Sequence, residues 1–253
     1  MTRGIFFFMH ITIKYQDMMN NSLKVIALRE MRILKTLTPT QLEILAAETT
    51  FEKVAKNSVI YNIGAPMDYV YLVEKGSVKL GMVASCGKTL TKELVYDNEV
   101  FGENIFTSEL VTKEYAESMT EVKYYKIPVS VFQSLIVENN VFATSIMNII
   151  VTKLQNLEER LQNFVFRKAK ERIVDFIFRT GTRKGVKIGI NECLIDHGMS
   201  HREIAYLTDT SRQTVARILN ELKKENFIHY GSRKSSKILI RDLHTLQNYV
   251  MVG

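Results

Sequence analysis

The sequence has little cysteine. Its 253 residues include only two, Cys86 and Cys193, which lie far apart and form neither a CxxC pair nor a spacing typical of metal ligands. A disulfide framework is therefore not supported, and neither is a zinc or iron–sulfur site held by cysteines. We expect the chain to work in a reducing, cytoplasmic compartment.

Long apolar runs and catalytic motifs are also missing. The most apolar stretch, residues 4–13, is interrupted by His10 and falls well short of the roughly 20 residues that a membrane-spanning helix needs. No small-residue cleavage site follows it, so we expect no membrane partner and assign no function to residues 1–24. The chain contains no P-loop, dinucleotide-binding glycine motif, GxSxG or HExxH sequence, and we expect no enzyme.

The chain does have an excess of positive charge near its C-terminus. Its 34 Lys and Arg exceed its 27 Asp and Glu by seven. Residues 1–150 carry 15 basic and 16 acidic side chains, so the remaining 19 basic and 11 acidic ones lie in residues 151–253. A basic module joined to a near-neutral one is typical of proteins that bind nucleic acid or an anionic membrane. The alternative is a solvated lysine-rich face.

The first half of the chain predicts a β-rich domain. A helical region covers residues 22–50, in which Thr38 caps a helix that begins at Pro39. Short β-rich runs then alternate with turn residues up to about residue 127. The predicted strands are 59–61, 69–73, 78–80, 90–94 and 122–127. Short strands at this spacing are typical of an antiparallel sandwich or barrel.

A heptad pattern follows, within a helical region from Phe132 to about Lys168. Six apolar residues recur at alternating spacings of three and four, namely Met147, Ile150, Leu154, Leu157, Leu161 and Phe164. Because this seam is narrower than the stripe of a helix packed on a domain, we expect a homodimeric coiled coil. The alternative is a long amphipathic helix lying on the β domain. The next helix is predicted over residues 169–179, with a loop over residues 180–185.

The C-terminal region has the spacing of a helix-turn-helix. Ser200 and Glu203 form a capping box that begins a short helix, and Ser211 caps a second helix that runs to about Glu225. Asp209 tolerates the left-handed conformation that a tight turn between two helices needs. The alternative is a plain pair of antiparallel helices.

The second helix separates a buried stripe from a polar face. The predicted stripe is Val215, Ile218, Leu219 and Leu222. On the other face, arginine can bond guanine, glutamine can bond adenine and alanine can touch a thymine methyl, while hydroxyls at a helix start suit phosphate. A β-hairpin wing with a basic tip follows. The predicted DNA-binding residues are Ser200, Ser211, Arg212, Gln213, Thr214, Ala216, Arg217, Asn220, Arg233, Lys234 and Lys237.

The order of these features resembles the Crp/Fnr family of bacterial transcription regulators over about residues 25–250. The matching segments are Gly64, Tyr71-Leu72-Val73 with Gly76, Val78-Lys79-Leu80, Phe101-Gly102-Glu103 and the helix Ser211-Arg212-Gln213-Thr214-Val215-Ala216-Arg217. That helix is similar to the family pattern S-R-E-T-V-x-R, with Gln213 in place of the usual Glu.

The resemblance implies an α+β chain of three parts. These are an antiparallel β-roll of the jelly-roll type that resembles a cyclic-nucleotide-binding domain over residues 25–135, a dimerisation helix over residues 136–168 and a winged helix-turn-helix over residues 169–253. It further implies a homodimer that binds palindromic operators in double-stranded DNA. An activator of this type would also contact RNA polymerase.

The effector site departs from the family. Members that bind a cyclic nucleotide follow Phe-Gly-Glu with an Arg-Ser/Thr-Ala segment whose arginine holds the phosphate, but residues 104–126 contain no arginine. The resemblance makes Gly102, Glu103 and Lys113 the candidate effector-binding residues, although a lysine supplies a point charge and not the fork of an arginine. A cyclic nucleotide is therefore disfavoured. No cofactor is expected, since the cysteine quartet of iron–sulfur members is absent and no histidine lies between residues 11 and 196 to serve a haem.

Other interpretations stay open. The β-roll and the seam helix could form a ligand-sensing or protein-interaction module that binds no DNA. Cys86, at a predicted hairpin tip near Lys88, could sense redox state. His197 and His201 have the spacing of a helical metal pair, but the cap at Ser200 lies between them, so no metal site is expected.

Overall fold

The computed structural model describes residues 21–85, 87, 89–102, 106–107, 111–196, 199–230 and 237–251. Within these, the helices are α1 (residues 21–30), α2 (Pro39–Glu48), α3 (Val129–Glu138), α4 (Asn140–Phe166), α5 (Ala169–Lys184), α6 (His201–Leu207), α7 (Arg212–Lys224) and α8 (Leu243–Met251). The strands are β1 (Thr50–Val54), β2 (Val59–Tyr61), β3 (Tyr69–Lys75), β4 (Val78–Val83), β5 (Thr89–Val95), β6 (Val100–Phe101), β7 (Tyr115–Ser118), β8 (Val122–Pro128), β9 (Val186–Lys187), β10 (Cys193–Asp196), β11 (Ile228–Tyr230) and β12 (Lys237–Ile240).

The N-terminal strands form two four-stranded sheets, ordered β1-β8-β3-β6 and β2-β7-β4-β5. β8 lies between β1 and β3 and pairs antiparallel with both. Alternate residues of these strands face inward and form an apolar core that includes Val73, Val78, Leu80 and Phe101. A second core packs helices α1 to α4 on the other face of β3 and β8, around Leu45, Phe132 and Phe142. These antiparallel sheets, with the helical C-terminal domain, confirm the predicted α+β class.

The C-terminal strands form a third sheet, ordered β11-β12-β10-β9. By internal contacts the chain divides into two compact units. One contains the described residues up to Leu80 together with Leu94–Thr152, and the other contains Gly81–Glu93 and Lys153–Gly253. The unit boundaries therefore fall within strands β4 and β5. The outer ends of the two strands belong to the first unit, and the hairpin between them, Gly81–Glu93, belongs to the second.

All five predicted strands are present, and most are longer than the sequence indicated. The sequence missed β1, β6 and β7 in this domain. The segment Thr50–Val54 carries Glu52 and Lys53 and lacks a clear apolar alternation, yet its backbone pairs with β8 over all five residues. Backbone pairing of this kind leaves no local signal.

The predicted helix from Phe132 to about Lys168 is two helices. Asn139 has an extended backbone, with φ −131° and ψ 98°, and its Oδ1 accepts a hydrogen bond from the N–H of Phe142 at 3.0 Å. Asn139 therefore acts as an N-cap, and the long helix begins at Asn140 instead of residue 136. Among the described residues, no single helix has the length and apolarity to cross a bilayer; α3 and α4 reach them only in combination, across a bend of 115°.

The predicted end of α5 at Arg179 is wrong, as is the loop over residues 180–185. The helix continues to Lys184. Thr180 Oγ1 bonds back to the carbonyl of Phe176 at 2.7 Å, and a Cβ at Gly181 would lie only 2.8 Å from Ile240 Cδ1. The glycine serves close packing against β12 within a helix and does not end it.

Candidate nucleic-acid interface

Helices α6 and α7 begin where the sequence predicted. Ser200 Oγ accepts from the N–H of Glu203 at 3.3 Å, and the Glu203 carboxylate accepts from the N–H of Ser200 at 2.7 Å. Ser211 Oγ accepts from the N–H of Thr214 at 3.0 Å. Each cap satisfies backbone donors that a helix start otherwise leaves unpaired, so both starts are confirmed.

The turn between the two helices also follows the prediction. Asp209 has φ +50°, in the left-handed region, and Ala205 is buried where the helices meet. Arg172 of α5 donates to the carbonyls of Thr208 and Asp209, both at 2.9 Å. This contact was not predicted, because nothing in the local pattern of α5 separates Arg172 from a solvated arginine.

Helix α7 has one buried and one open face. Val215, Ile218, Leu219 and Leu222 are all buried, which confirms the predicted stripe. Six predicted DNA-binding residues lie on α7: Arg212, Gln213, Arg217 and Asn220 are exposed, and Thr214 and Ala216 are half-buried. The two caps are exposed, Ser211 at the start of α7 and Ser200 at the start of α6. The structure therefore places seven of these eight residues on α7 and its cap, and Ser200 on the cap of α6.

Two of the reading side chains already have partners. Arg217 NH1 lies 3.5 Å from Glu221 Oε2, and Glu221 also pairs with Lys170 of α5. Tyr230 of β11 donates its hydroxyl to Asn220 Oδ1 at 2.5 Å. The Tyr230 contact was not predicted from the sequence, because it crosses from β11 to α7. Glu221 was not predicted either, although Arg217 and Glu221 have the i,i+4 spacing of a helical ion pair.

Strands β11 and β12 form the predicted antiparallel hairpin, with Tyr230 opposite Ile238. Lys237 begins β12, and its Nζ lies 3.7 Å from Asp196 Oδ2 of β10. The tip of the hairpin, residues 231–236, lies outside the described residues. Arg233 and Lys234 therefore stay predictions without a described position.

Cys193 and His201 belong to the cysteine and histidine pairs for which no metal site is expected. Cys193 is buried, its Sγ lies 3.4 Å from the carbonyl oxygen of Gly181, and burial raises the pKa of its thiol. Burial, and then the charge of Arg212, lower the pKa of His201. His197 and Cys86 lie outside the described residues. Within the described part of the chain, no three His, Cys, Asp or Glu side chains are grouped to hold a metal.

The interior of the β-roll is filled by aromatic rings. Tyr71 stacks on Phe101 with centroids 4.8 Å apart, and Tyr61 lies 5.3 Å from Tyr71. Gly102 has φ +85°, and a Cβ there would lie 3.0 Å from Tyr71 Cδ2. A pocket of about 10 Å³, which is the space of one water molecule, lies beside these residues and is lined also by Pro66, Met67 and Thr112.

The segment after the Phe-Gly-Glu signature turns a carboxylate inward. Glu114 is 3% exposed and accepts a hydrogen bond from the hydroxyl of Tyr61 at 3.0 Å. Glu117 pairs with Lys79 at 3.3 Å. Lys113 is exposed on this segment, and Glu103 lies outside the described residues. Gly102 is the candidate effector residue that the structure places beside the aromatic rings.

The predicted seam of α4 faces outward in the single chain. Its six residues have exposed fractions of 57% (Met147), 39% (Ile150), 55% (Leu154), 48% (Leu157), 64% (Leu161) and 54% (Phe164). An apolar stripe this long is rare on the surface of a monomer. The dimer itself stays a prediction.

Comparison with known proteins follows the same division of the chain. Residues 171–249 match the family model of the Crp-like helix-turn-helix domain, and residues 51–139 match that of the cyclic nucleotide-binding domain. The chain belongs to the Crp/Fnr family. The predicted family is thereby confirmed, and so is the predicted function as a DNA-binding transcription regulator, because the curated relatives of this Crp/Fnr protein are transcriptional regulators.

Three known proteins illustrate the likeness. The global nitrogen regulator of Synechococcus elongatus is 27% identical over 179 residues, which cover 70% of this chain and 80% of the relative. The CRP-like cAMP-activated global transcriptional regulator of Mycobacterium tuberculosis is 22% identical over 215 residues, covering 85% and 94%. The structure of FixK2 from Bradyrhizobium japonicum has a TM-score of 0.69 at 21% identity, covering 79% of this chain and 96% of FixK2. The last likeness supports the fold.

Proposed function

We propose that this Crp/Fnr regulator binds a palindromic operator as a homodimer and inserts helix α7 of each subunit into the major groove. The polar face of α7 carries the proposal, because four long polar side chains project from it opposite a fully buried stripe. Helices of this kind read base edges, and two-fold symmetry places half-sites about one helical turn apart.

Each residue of the interface has a proposed role. Arg212 and Arg217 would bond guanine, while Gln213 would favour adenine and Ala216 a thymine methyl. Ser200, Ser211 and Thr214 lie at helix starts, where hydroxyls and backbone N–H groups suit phosphates. The basic residues of the wing, Arg233, Lys234 and Lys237, would contact the phosphate backbone.

The seam of α4 is the proposed dimer contact. Its six residues follow an a/d pattern, and all are between 39% and 64% exposed in the single chain. Burial of such a stripe against its own copy would remove apolar surface from water, and each Å² buried would stabilise the dimer by about 25 cal/mol. Knobs-into-holes packing of two parallel helices is the arrangement that this spacing favours.

The N-terminal domain is proposed to respond to no cyclic nucleotide, although its family model and the cAMP-activated relative point to that class of ligand. Support comes from the rings of Tyr61, Tyr71 and Phe101, which pack together, and from a pocket of only about 10 Å³ between Tyr61, Tyr71 and Gly102. The missing arginine and the buried Glu114 further disfavour a phosphate. Titration calorimetry with cAMP and cGMP up to 1 mM should give no saturable heat; saturation by either would reject this part of the proposal.

One selection experiment tests the DNA-binding part. Duplexes are enriched from a randomised library on the purified chain and footprinted. The proposal expects a two-fold symmetric sequence protected by two subunits. Protection of an asymmetric sequence by one subunit, or no retardation of random duplex even at low salt, would reject it.

Three further expectations complete the proposal. We expect the regulator to act in the cytoplasm, to have no catalytic activity and, if it activates transcription, to contact RNA polymerase.

A further inference from the structure

Arg160 of helix α4 uses all of its N–H donors. Nε and NH2 bond the two carboxylate oxygens of Asp209, at 3.0 and 2.7 Å. NH2 also donates to the carbonyl of Tyr206 at 2.7 Å. NH1 donates to the carbonyls of Thr91 and Lys92, at 3.4 and 3.3 Å. The five donors of the guanidinium therefore meet five acceptors.

These acceptors belong to two separate segments. Asp209 is the left-handed residue of the turn between α6 and α7, and Tyr206 lies in the last turn of α6, where carbonyls lack helical partners. Thr91 and Lys92 belong to strand β5 of the β4–β5 hairpin. A second contact, between Lys153 of α4 and Glu93 of β5 at 3.1 Å, holds the same hairpin.

We propose that Arg160 is a positioning residue that couples the β4–β5 hairpin to the turn in front of the reading helix. The inference rests on the proposed function, because the turn fixes where α7 begins. Arg160 follows the seam residue Leu157 by three positions, so one side chain next to the dimer contact holds both segments. If the hairpin moves, the guanidinium that is bonded to it moves as well, and the hydrogen bonds from that guanidinium to Asp209 change.

Arginine is required here for a geometric reason. A guanidinium is rigid and planar, and its donors point in fixed directions toward both segments at once. A lysine has three donors on a single nitrogen and cannot make the bidentate contact with Asp209 while reaching the carbonyls of β5. The side chains of Arg160 and Asp209 are only 24% and 23% exposed, so the pair is shielded from much of the solvent screening that weakens surface ion pairs.

Arg172 and Arg179 provide internal comparisons. Arg172 donates to the backbone carbonyls of Thr208 and Asp209 in the same turn. Its other hydrogen bond goes to the carbonyl of Arg167, five residues earlier in the chain, and not to the hairpin. Arg179 pairs with Glu159, next to Arg160 on α4, and with Asp175 of its own helix. Arg179 therefore forms ion pairs as Arg160 does, but these partners lie in neither the α6–α7 turn nor the β4–β5 hairpin.

The test combines amide hydrogen exchange with DNA affinity. We expect Arg160→Ala and Arg160→Lys each to raise the exchange rates at residues 89–93 and at residues 208–211 by tenfold or more. Asp209→Asn keeps a residue that tolerates the left-handed conformation, and it should raise exchange in the hairpin, which it does not touch. Affinity for a duplex selected by the unaltered chain should fall at least tenfold in all three variants, with little change toward a scrambled duplex.

The control is Arg179→Ala, which should leave both segments and the affinity ratio unchanged. The coupling is rejected if Asp209→Asn leaves hairpin exchange at its original rate, or if Arg160→Lys behaves as the unaltered chain. If the unaltered chain selects no duplex, the proposed function fails instead. The exchange measurement then still decides whether the two segments are coupled.

Discussion

Tyr71 and Phe101 stack inside the β-roll with their planes inclined by only 13°. Phe101 is the first residue of the Phe-Gly-Glu signature, so the segment that marks the family also contributes a ring to the core. Burial, together with the charge of Glu52, raises the pKa of the Tyr71 hydroxyl from its ordinary value near 10 to about 12, as expected of a ring held inside the sheet.

Truncation of this ring should be costly. Tyr71 is 8% exposed, and Tyr71→Ala should lower the free energy of unfolding by about 3–5 kcal/mol, because the neighbouring rings cannot close the space. Urea denaturation followed by far-UV circular dichroism measures the change. Val137→Ala, at a side chain 82% exposed, should alter stability by less than about 0.5 kcal/mol. An equally small effect at Tyr71 would contradict the packing described for it.

A charge in the α4 seam should dissociate the dimer. Leu157→Lys places an ammonium group where two apolar stripes meet, and we expect a monomer at micromolar concentration, since a buried unpaired charge is strongly unfavourable. Sedimentation equilibrium gives the mass. Gln155→Lys adds the same charge to the same helix away from the seam and should stay dimeric. A monomeric unaltered chain would reject the seam as a dimer contact.

Arg217→Ala should weaken operator binding by about 1–3 kcal/mol and relax the base preference at one position of each half-site. Arg217 lies 3.5 Å from Glu221, and Glu221 also pairs with Lys170. Because Glu221 keeps Lys170 as a partner when Arg217 is removed, the fold should remain intact. A competition series over single-base variants of the operator measures both effects. Equal loss on every sequence would argue for phosphate contact and against base readout.

The wing should contribute affinity without sequence preference. Lys234→Ala is expected to weaken binding uniformly across sequences and to lower the slope of log affinity against log salt by about one per subunit. Titrations between 50 and 200 mM salt determine the slope. An unchanged slope would remove Lys234 from the phosphate contacts.

His201 should make the folded chain sensitive to mild acid. Burial and Arg212 lower its pKa in the folded state, so protonation favours the unfolded chain. The stability it contributes is present above the ordinary histidine pKa of about 6.5 and is lost as pH falls below that value. Urea unfolding at pH 7.5 and 5.5 should show a smaller difference in His201→Gln. His229→Gln, at an exposed histidine, is the matched control for the loss of an imidazole.

The sequence predicted the features that short-range chemistry determines. The caps at Ser200 and Ser211 and the left-handed Asp209 each depend on residues within three positions, and all three are found where expected. The outward seam of α4 and the buried stripe of α7 follow from periodicity alone.

Contacts between distant segments were beyond the sequence. Arg160 lies 49 residues from Asp209 and 69 from Thr91, and no local pattern distinguishes it from a solvated arginine. Gly181 is a helix-interior residue because Ile240 packs against it, although its local sequence favours a helix end. The ring stack of Tyr71 on Phe101 requires β3 and β6 to pair, which only the folded sheet provides.

The hydroxyl of Tyr230 limits what Asn220 can offer to DNA. Since Asn220 Oδ1 already accepts that hydroxyl at 2.5 Å, one of the two acceptor positions of its oxygen is occupied. Bidentate recognition of adenine needs one donor and one acceptor from the same amide, so Asn220 held in this way would have to use the second position of Oδ1, whereas guanine O6, thymine O4 or a phosphate oxygen needs only its N–H groups. The first strand of the hairpin thereby restricts how a side chain of helix α7 can be oriented.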